Sequence, residues 1–274
     1  MGTVLGKLLL KSGHKVTAWN RTISKTKELE KEGATIASQI EDALGSADTI
    51  LICVSNYKVS DEIFKSVSET FLANKTIIQL STGTPKDAAD YSTWFESIRA
   101  NYLDGAIMVT PSQMGTPEAM ILVSGKESIF KAQEDILKVL AGNTLYVGEK
   151  PSWASAWDLA FLSYFFSALI GFAHAAHIAR AEGINITELG ATIQAWSPAV
   201  GTIMKEVSEM ISSDKFQETE STVKTCFVSA ELILRHAQQS KISSTCPQFV
   251  VDIFKKAMNS GLVTEDGAAI YKIL

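Results

Sequence analysis

Cysteine and clustered positive charge are both scarce in this sequence. The three cysteines, Cys53, Cys226 and Cys246, are widely separated among 274 residues, and none belongs to a CxxC pair. Disulfide frameworks and zinc sites need paired or clustered cysteines, so we predict reduced thiols in a cytoplasmic protein. The net charge is −5 and no run of basic residues stands out. A nucleic-acid or anionic-membrane surface is therefore not expected.

A long hydrophobic run is missing as well. The apolar, uncharged stretch at residues 159–173 has about 15 residues, whereas a bilayer span needs about 20. It predicts a buried helix at a subunit or domain interface, not a membrane helix. His174 and His177 follow it one turn apart, but no acid or cysteine shares their spacing, so no metal site is predicted. The opening residues have no basic segment or cleavage motif of a secretory leader.

The first half of the chain alternates between strand and helix patterns. Residues 49–54, TILICV, and 76–80, TIIQL, are continuous apolar runs, which are typical of strands covered on both faces. Alternation of this kind predicts an α/β fold with a doubly wound parallel sheet, a Rossmann domain over residues 1–150. Residues 151–274 show only helical periodicity, beginning with a long interdomain helix near 153–182. We predict an all-α C-terminal domain there.

The N-terminus matches part of a dinucleotide-binding motif. That motif runs from a strand through a glycine-rich turn into a helix, and a second strand meets the ribose about 20 residues later. Gly2 stands where the helix begins, and Asn20 follows 18 residues later at the end of the second predicted strand. The first strand and the first two glycines are missing, so we expect the given sequence to begin inside the motif.

The end of the second predicted strand is basic and polar. An acid at this point would bind the ribose hydroxyl of NAD, whereas cations suit the 2′-phosphate of NADP. The sequence has Asn20, Arg21 and Thr22 there, with Lys25 one turn later. These four residues predict binding of NADPH/NADP. The alternative is a solvated turn whose hydroxyl caps the next helix.

Two more strand ends are rich in small polar residues, CVSN at 53–56 and STGTP at 81–85. Ligands of open α/β sheets bind at the carboxyl ends of the strands. Thr84 is also suited to cap a helix that starts at Pro85, and both roles are compatible. The further predicted cofactor-binding residues are Cys53, Val54, Ser55, Ser81, Thr82, Gly83 and Thr84.

Several motifs in order, NRT, CVSN, STGTP, YLDGAIMVTPSQMGTPEA and TEDGAA, make the chain resemble the imine reductases. These form a branch of the β-hydroxyacid dehydrogenase, or 6-phosphogluconate dehydrogenase-like, superfamily. The resemblance implies an NADPH-binding Rossmann domain, a long interdomain helix and a helical C-terminal domain. It also implies a homodimer with interlocked C-terminal helices, whose active site lies between one subunit's cofactor and the other's helices.

Asp158 is the candidate catalytic residue. By the family pattern it stands where hydroxyacid dehydrogenases have a lysine, and Leu162 stands where they have an asparagine. A lysine assists reduction of a carbonyl group, whereas a carboxylate stabilises a cationic iminium. Asp158 is also a lone acid in the aromatic stretch 153–166. A carboxylate buried there would have to be paired, hydrogen-bonded, protonated or beside a cavity. The alternative is a solvated acid near a helix start.

The substrate class follows from the same resemblance. Hydroxyacid enzymes hold a carboxylate with a serine and glycines after the strand that ends near residue 107, whereas this chain has Met108, Val109 and Thr110. We therefore predict an imine reductase that acts on a cyclic imine. The alternatives are a reductase of small aldehydes or keto acids and a non-catalytic, dimeric NADP-binding module. The predicted substrate-lining residues are Met108, Thr110, Trp157, Leu162, Trp196 and Met204.

Overall fold

The chain divides into two compact units, Met1–Ser163 and Tyr164–Leu274. The computed structural model describes residues 1–217 and 219–274. The first unit alternates helices and strands as predicted. Its elements are α1 (Gly2–Lys11), β1 (Thr17–Ala18), α2 (Lys27–Lys31), β2 (Thr35–Ile36), α3 (Ile40–Gly45), β3 (Thr49–Ile52), α4 (Tyr57–Phe64), β4 (Thr76–Gln79), α5 (Pro85–Ser97), β5 (Asn101–Ile107), β6 (Met120–Gly125), α6 (Glu127–Leu140), β7 (Asn143–Gly148) and the start of α7 (Trp153–Ala181).

The main sheet has five strands in the order β3-β4-β5-β6-β7. β3, β4 and β5 are parallel as predicted, but β6 pairs with β5 in the antiparallel direction, which corrects the expectation of a wholly parallel sheet. Residues 108–119 between β5 and β6 contain only a short 3-10 turn. A parallel pairing usually needs a helical crossover. α6 provides such a crossover, and β7 is parallel to β6.

β1 and β2 form a separate parallel pair. A cleft of about 300 Å³ lies between this pair and the main sheet. It is lined by Val16, which immediately precedes β1, and by Thr49 and Leu51 of β3. The second predicted strand therefore exists as β1, although it is only two residues long. The polar segment 20–22 begins two residues after it.

Helices cover both faces of the main sheet, as a doubly wound fold requires. One apolar cluster packs α1 and α6 against the strands through Leu5, Leu9 and Leu137. The other packs α4 and α5 through Phe64 and Phe95. All four residues of β4 are buried, which agrees with the continuous apolar run that predicted it.

The second unit is helical. After α7 it contains α8 (Ile186–Ser213), α9 (Val223–Gln239), α10 (Thr245–Asn259) and a 3-10 helix, Gly267–Ile273. The sequence pattern predicts two helices on either side of Pro198, but α8 is continuous through it. A proline removes one backbone hydrogen bond, and the turns on both sides of Pro198 remain helical. The core of this unit includes Phe216, Val223 and Ala257.

The uncharged stretch 159–173 lies in the middle of α7 and is largely exposed within one chain, so the predicted burial is not provided by this chain. Five of its large apolar side chains are between 42% and 59% exposed. Among the described residues, α7 is the one helix long and apolar enough, by length and composition alone, to cross a membrane. Helices that another protein surface covers pass the same test. The exposed side chains are Phe161, Phe165, Phe166, Leu169 and Ile170.

Candidate functional site

The ends of β3 and β4 meet at one edge of the sheet. The backbone N–H of Val54 donates to Oγ of Ser81 at 2.9 Å, and the N–H of Ser81 donates to Oε1 of Gln79 at 3.0 Å. The start of α1 reaches the same edge, because a Cβ built on Gly2 would lie 3.6 Å from the carbonyl oxygen of Cys53. The structure therefore brings Gly2, residues 53–55 and Ser81 together.

Gly83 is required by a close approach. A Cβ at this position would lie only 2.2 Å from the ring of Tyr57, the first residue of α4. Thr84 caps α5 through a reciprocal pair of bonds with Asp87, as predicted. Thr82, Gly83, Thr84 and Tyr57 line a cavity of about 590 Å³ that Leu159 also borders.

Replacing Gly83 with alanine is expected to lower the free energy of unfolding by about 1–3 kcal/mol, because the added methyl group overpacks against a buried ring. The matched control is Gly45→Ala, since a Cβ at Gly45 meets nothing within 4 Å. Urea denaturation of both variants measures the difference. Equal stability of the two variants would contradict the close approach.

The basic segment after β1 is exposed. The side-chain Oδ1 of Asn20 accepts the N–H of Thr22 at 2.9 Å and shapes the turn. The Arg21 side chain is 72% exposed, and its Nη1 lies 3.5 Å from Oε2 of Glu62 on α4. Lys25 is exposed in the 3-10 turn that follows. Both cations are therefore accessible to a phosphate group. Their binding of the 2′-phosphate of NADP is a prediction.

A buried carboxylate, absent from the sequence predictions, connects β5 with α4 and α7. Asp104 is 1% exposed. The Tyr57 hydroxyl donates to its Oδ1 at 2.5 Å, and the Tyr102 hydroxyl donates to that of Tyr57 at 2.6 Å. The Ser155 N–H and hydroxyl donate to its Oδ2 at 2.8 and 2.6 Å. The available signal was an acid within a strand that is otherwise apolar, because a buried charge needs partners.

Burial raises the pKa of Asp104 to about 6, although the hydrogen bonds from Ser155 and Tyr57 act to lower it. The nearby Asp158 carboxylate raises it further. Burial also raises the pKa of Tyr57 and of Tyr102 well above the usual phenol value, so both remain protonated donors.

This raised pKa predicts a specific pH dependence of stability. The folded pKa of Asp104 exceeds its unfolded value of about 4, so the wild-type chain loses stability as pH rises from about 4 to 6, by roughly 3 kcal/mol at most. Asp104→Asn lacks this loss. The difference in unfolding free energy between the two proteins should move in favour of the variant across that window and level off above it. A constant difference from pH 4 to 7 would contradict the burial of an ionised Asp104.

Asp158 lies on α7 one turn beyond Ser155 and is 7% exposed. Burial raises the pKa of this carboxyl. None of the ion pairs formed within residues 1–217 and 219–274 includes it. A buried carboxylate without a cation favours either a proton or a positively charged ligand beside it.

The other predicted substrate-lining residues are dispersed. Trp157 and Leu162 lie on α7, and the ring of Trp157 is half exposed and stacks on Phe161. Met108 packs in the small cluster that holds Ala154 at the start of α7. Thr110 caps the 3-10 turn after β5 through Gln113. Trp196 and Met204 lie exposed on α8 of the second unit.

No group of three or more potential metal ligands occurs among the residues that the structure describes. His174 is buried on α7, and its Nε2 has no hydrogen-bond partner. His177 is exposed on the same helix.

The sheet with helices on both faces, its strand ends gathered at one edge, defines a dinucleotide-binding domain of the oxidoreductase type, followed by a helical domain. Residues 1–148 match the family described as the NAD binding domain of 6-phosphogluconate dehydrogenase. Residues 150–274 match the C-terminal domain of the NADPH-dependent reductive aminase-like proteins. The chain belongs to the imine reductase and reductive aminase family.

Three relatives illustrate the similarity. The NADPH-dependent reductive aminase of Aspergillus oryzae is 30% identical over 98% of this chain and 92% of its own length. An imine reductase from Myxococcus stipitatus in complex with NADP+ superposes with a TM-score of 0.93 at 31% identity, over 99% of this chain and 96% of that one. A reductive aminase from Aspergillus terreus, in complex with NADPH4, cyclohexanone and allyl amine, superposes with a TM-score of 0.93 at 27% identity, over 100% and 95% of the chains.

Proposed function

We propose that this protein is an NADPH-dependent imine reductase that reduces the C=N bond of a cyclic imine or iminium. The observation that carries the proposal is Asp158, a buried carboxylate without an ion-pair partner among the described residues, on the helix where the hydroxyacid dehydrogenases of the superfamily have a lysine. NADPH, when bound, supplies the hydride that is added to the imine carbon.

The residues at the sheet edge fit this cofactor. Arg21 and Lys25 offer exposed positive charge for a 2′-phosphate. The start of α1 lies beside Cys53 and has no side-chain cap, and a helix N-terminus of this kind suits a pyrophosphate. Residues 82–84 line the cavity of about 590 Å³ beside Tyr57, which leaves room for a ligand next to the STGTP segment.

Asp158 then acts on the substrate in one of two ways. As a carboxylate it stabilises the positive charge of a bound iminium in a site of low dielectric. Because burial raises its pKa, it is also suited to hold a proton and donate it to the nitrogen of a neutral imine. The Aspergillus terreus relative, with a ketone and an amine bound, supports a C=N substrate formed from such components.

The deciding experiment is NADPH oxidation with a substrate panel. We expect turnover with a pyrroline-type cyclic imine and with cyclohexanone plus allyl amine, but not with glyoxylate or succinic semialdehyde. Turnover of the two carbonyl compounds alone would establish the aldehyde or keto acid reductase instead. Tight NADPH binding without oxidation of any compound would identify a non-catalytic cofactor-binding module.

We also propose a homodimer that covers the exposed apolar face of α7 and places Trp196 and Met204 of the partner subunit beside the substrate. An exposed apolar surface of this extent is unusual for a monomer. We expect the chain of 29.7 kDa to sediment as a dimer.

The double variant Phe166→Glu/Ile170→Glu, which changes two exposed side chains one turn apart on α7, is expected to sediment as a monomer and to lose imine reduction. Phe71→Glu, which changes another exposed aromatic residue, is the control and should remain dimeric. A monomeric wild-type protein would refute the homodimer. If that monomer also co-sedimented with lipid vesicles, the apolar face of α7 would instead be a membrane-binding surface.

A further inference from the structure

The start of α7 is held by side chains of the sheet. The first N–H groups of a helix have no partner inside it, and the first turn of α7 contains no acid of its own. The Ala154 N–H donates to Oγ of Ser124 on β6 at 2.9 Å, and the Ser155 N–H donates to Asp104 on β5 at 2.8 Å. Two strands therefore supply the caps that local residues usually provide.

The same carboxylate also connects with the predicted cofactor-binding edge. The Oδ1 atom of Asp104 accepts the Tyr57 hydroxyl, and the Tyr57 ring packs against the backbone of Gly83. Asp104 is thus bonded on one side to the helix that bears Asp158 and on the other to a residue that touches the STGTP segment. Asp158 follows Ser155 by three residues, so the two lie on the same face of α7.

A carboxylate suits this position because both of its oxygens accept hydrogen bonds and neither has to donate. Its Oδ1 accepts from Tyr57, and its Oδ2 accepts twice from Ser155. Asparagine has one oxygen and an NH₂ group, so it would have to reverse the hydrogen bonds of Tyr57 and Tyr102 or give up those of Ser155.

We propose that Asp104 is a positioning residue, which holds the first turn of α7, and with it the Asp158 side chain, against β5. The inference rests on the proposed function, since it assigns Asp158 a role in imine reduction.

The test compares Asp104→Asn with wild type. We expect NADPH affinity within about twofold of wild type, KM for the imine nearly unchanged, and kcat lower by roughly 10- to 100-fold, as small misplacements of a reacting group can cause. A change that only destabilised the fold would not separate kcat from KM in this way. An unchanged kcat would overturn the proposal.

A readout without turnover separates this inference from the proposed function. In Asp104→Asn the backbone N–H of Ser155 should exchange with solvent faster than in wild type, because its 2.8 Å bond to Asp104 is weakened or lost. If exchange is faster while wild type reduces no imine, the proposed function fails and the positioning role stands. If wild type is active and exchange is unchanged in the variant, the positioning role fails.

A second pair of variants covers the case that Asp104→Asn does not fold. Ser155→Ala removes only the 2.6 Å hydroxyl bond to Asp104 and keeps the backbone bond. Its kcat should fall several-fold with little change in KM, and Ser155→Thr, which retains the hydroxyl, should restore it. Wild-type kinetics of Ser155→Ala would contradict the positioning role.

Discussion

Replacing Asp158 with asparagine is expected to lower kcat for a cyclic imine by at least about 100-fold, the loss typical of removing one group that stabilises charge in the transition state. Asparagine keeps the shape of the side chain but can neither balance a positive iminium nor donate a carboxyl proton. NADPH affinity should change little, because the predicted cofactor contacts lie at the strand ends. Steady-state kinetics with the imine and fluorescence titration with NADPH measure the two effects.

The stability of this variant has an expected sign. Burial raises the pKa of Asp158, so the folded state disfavours the ionised form, and the wild type loses stability as pH rises through the folded pKa. Asp158→Asn should therefore be at least as stable as wild type at neutral pH, and loss of activity cannot be ascribed to unfolding.

The control for Asp158→Asn is Asp135→Asn, the same change at an exposed position on α6, which should leave kcat unaltered. Undiminished turnover of Asp158→Asn would remove the role assigned to this carboxylate, although the family assignment would remain. Equal losses in both variants would point to a general effect of charge instead of a site.

The second large effect concerns cofactor choice. Arg21→Ala is expected to weaken NADPH binding by about 10- to 100-fold and to leave NADH binding unchanged, because a hydrogen bond to a charged group contributes about 1.5–3 kcal/mol. The deficit should shrink at high salt, since the side chain is exposed. Isothermal titration with both cofactors at two ionic strengths measures it.

Two further variants define the role of Arg21. Arg235→Ala, which removes the same charge from an exposed position on α9, should leave NADPH affinity unchanged. Glu62→Gln removes the carboxylate 3.5 Å from Arg21 and should raise NADPH affinity only slightly, because exposed ion pairs contribute little. Equal affinity of the wild type for NADPH and NADH would refute the phosphate-binding role of this segment.

Features that depend on neighbouring residues were predictable from the sequence. The apolar run TIIQL became the buried β4, Thr84 and Pro85 begin α5, and the aromatic stretch 153–166 lies in a single long helix. The pairing of distant segments was not predictable. The antiparallel direction of β6 depends on the path that residues 108–119 take from the end of β5. Side-chain periodicity indicates a strand but not its direction.

The features of the candidate site likewise fall into those that the sequence predicted and those that only the structure shows. The sequence by itself determined that a lone acid would stand early in a long apolar helix and that basic residues would follow the second strand, because both are matters of residue type and spacing. Only the tertiary structure decided that Asp158 is buried without an ion-pair partner among the described residues and that Asp104 bonds to Tyr57 and Ser155, which lie 47 and 51 residues away along the chain. Burial and long-range hydrogen bonds depend on which distant segments pack together. Local periodicity shows only which residues share a face of one element, and it does not determine that packing.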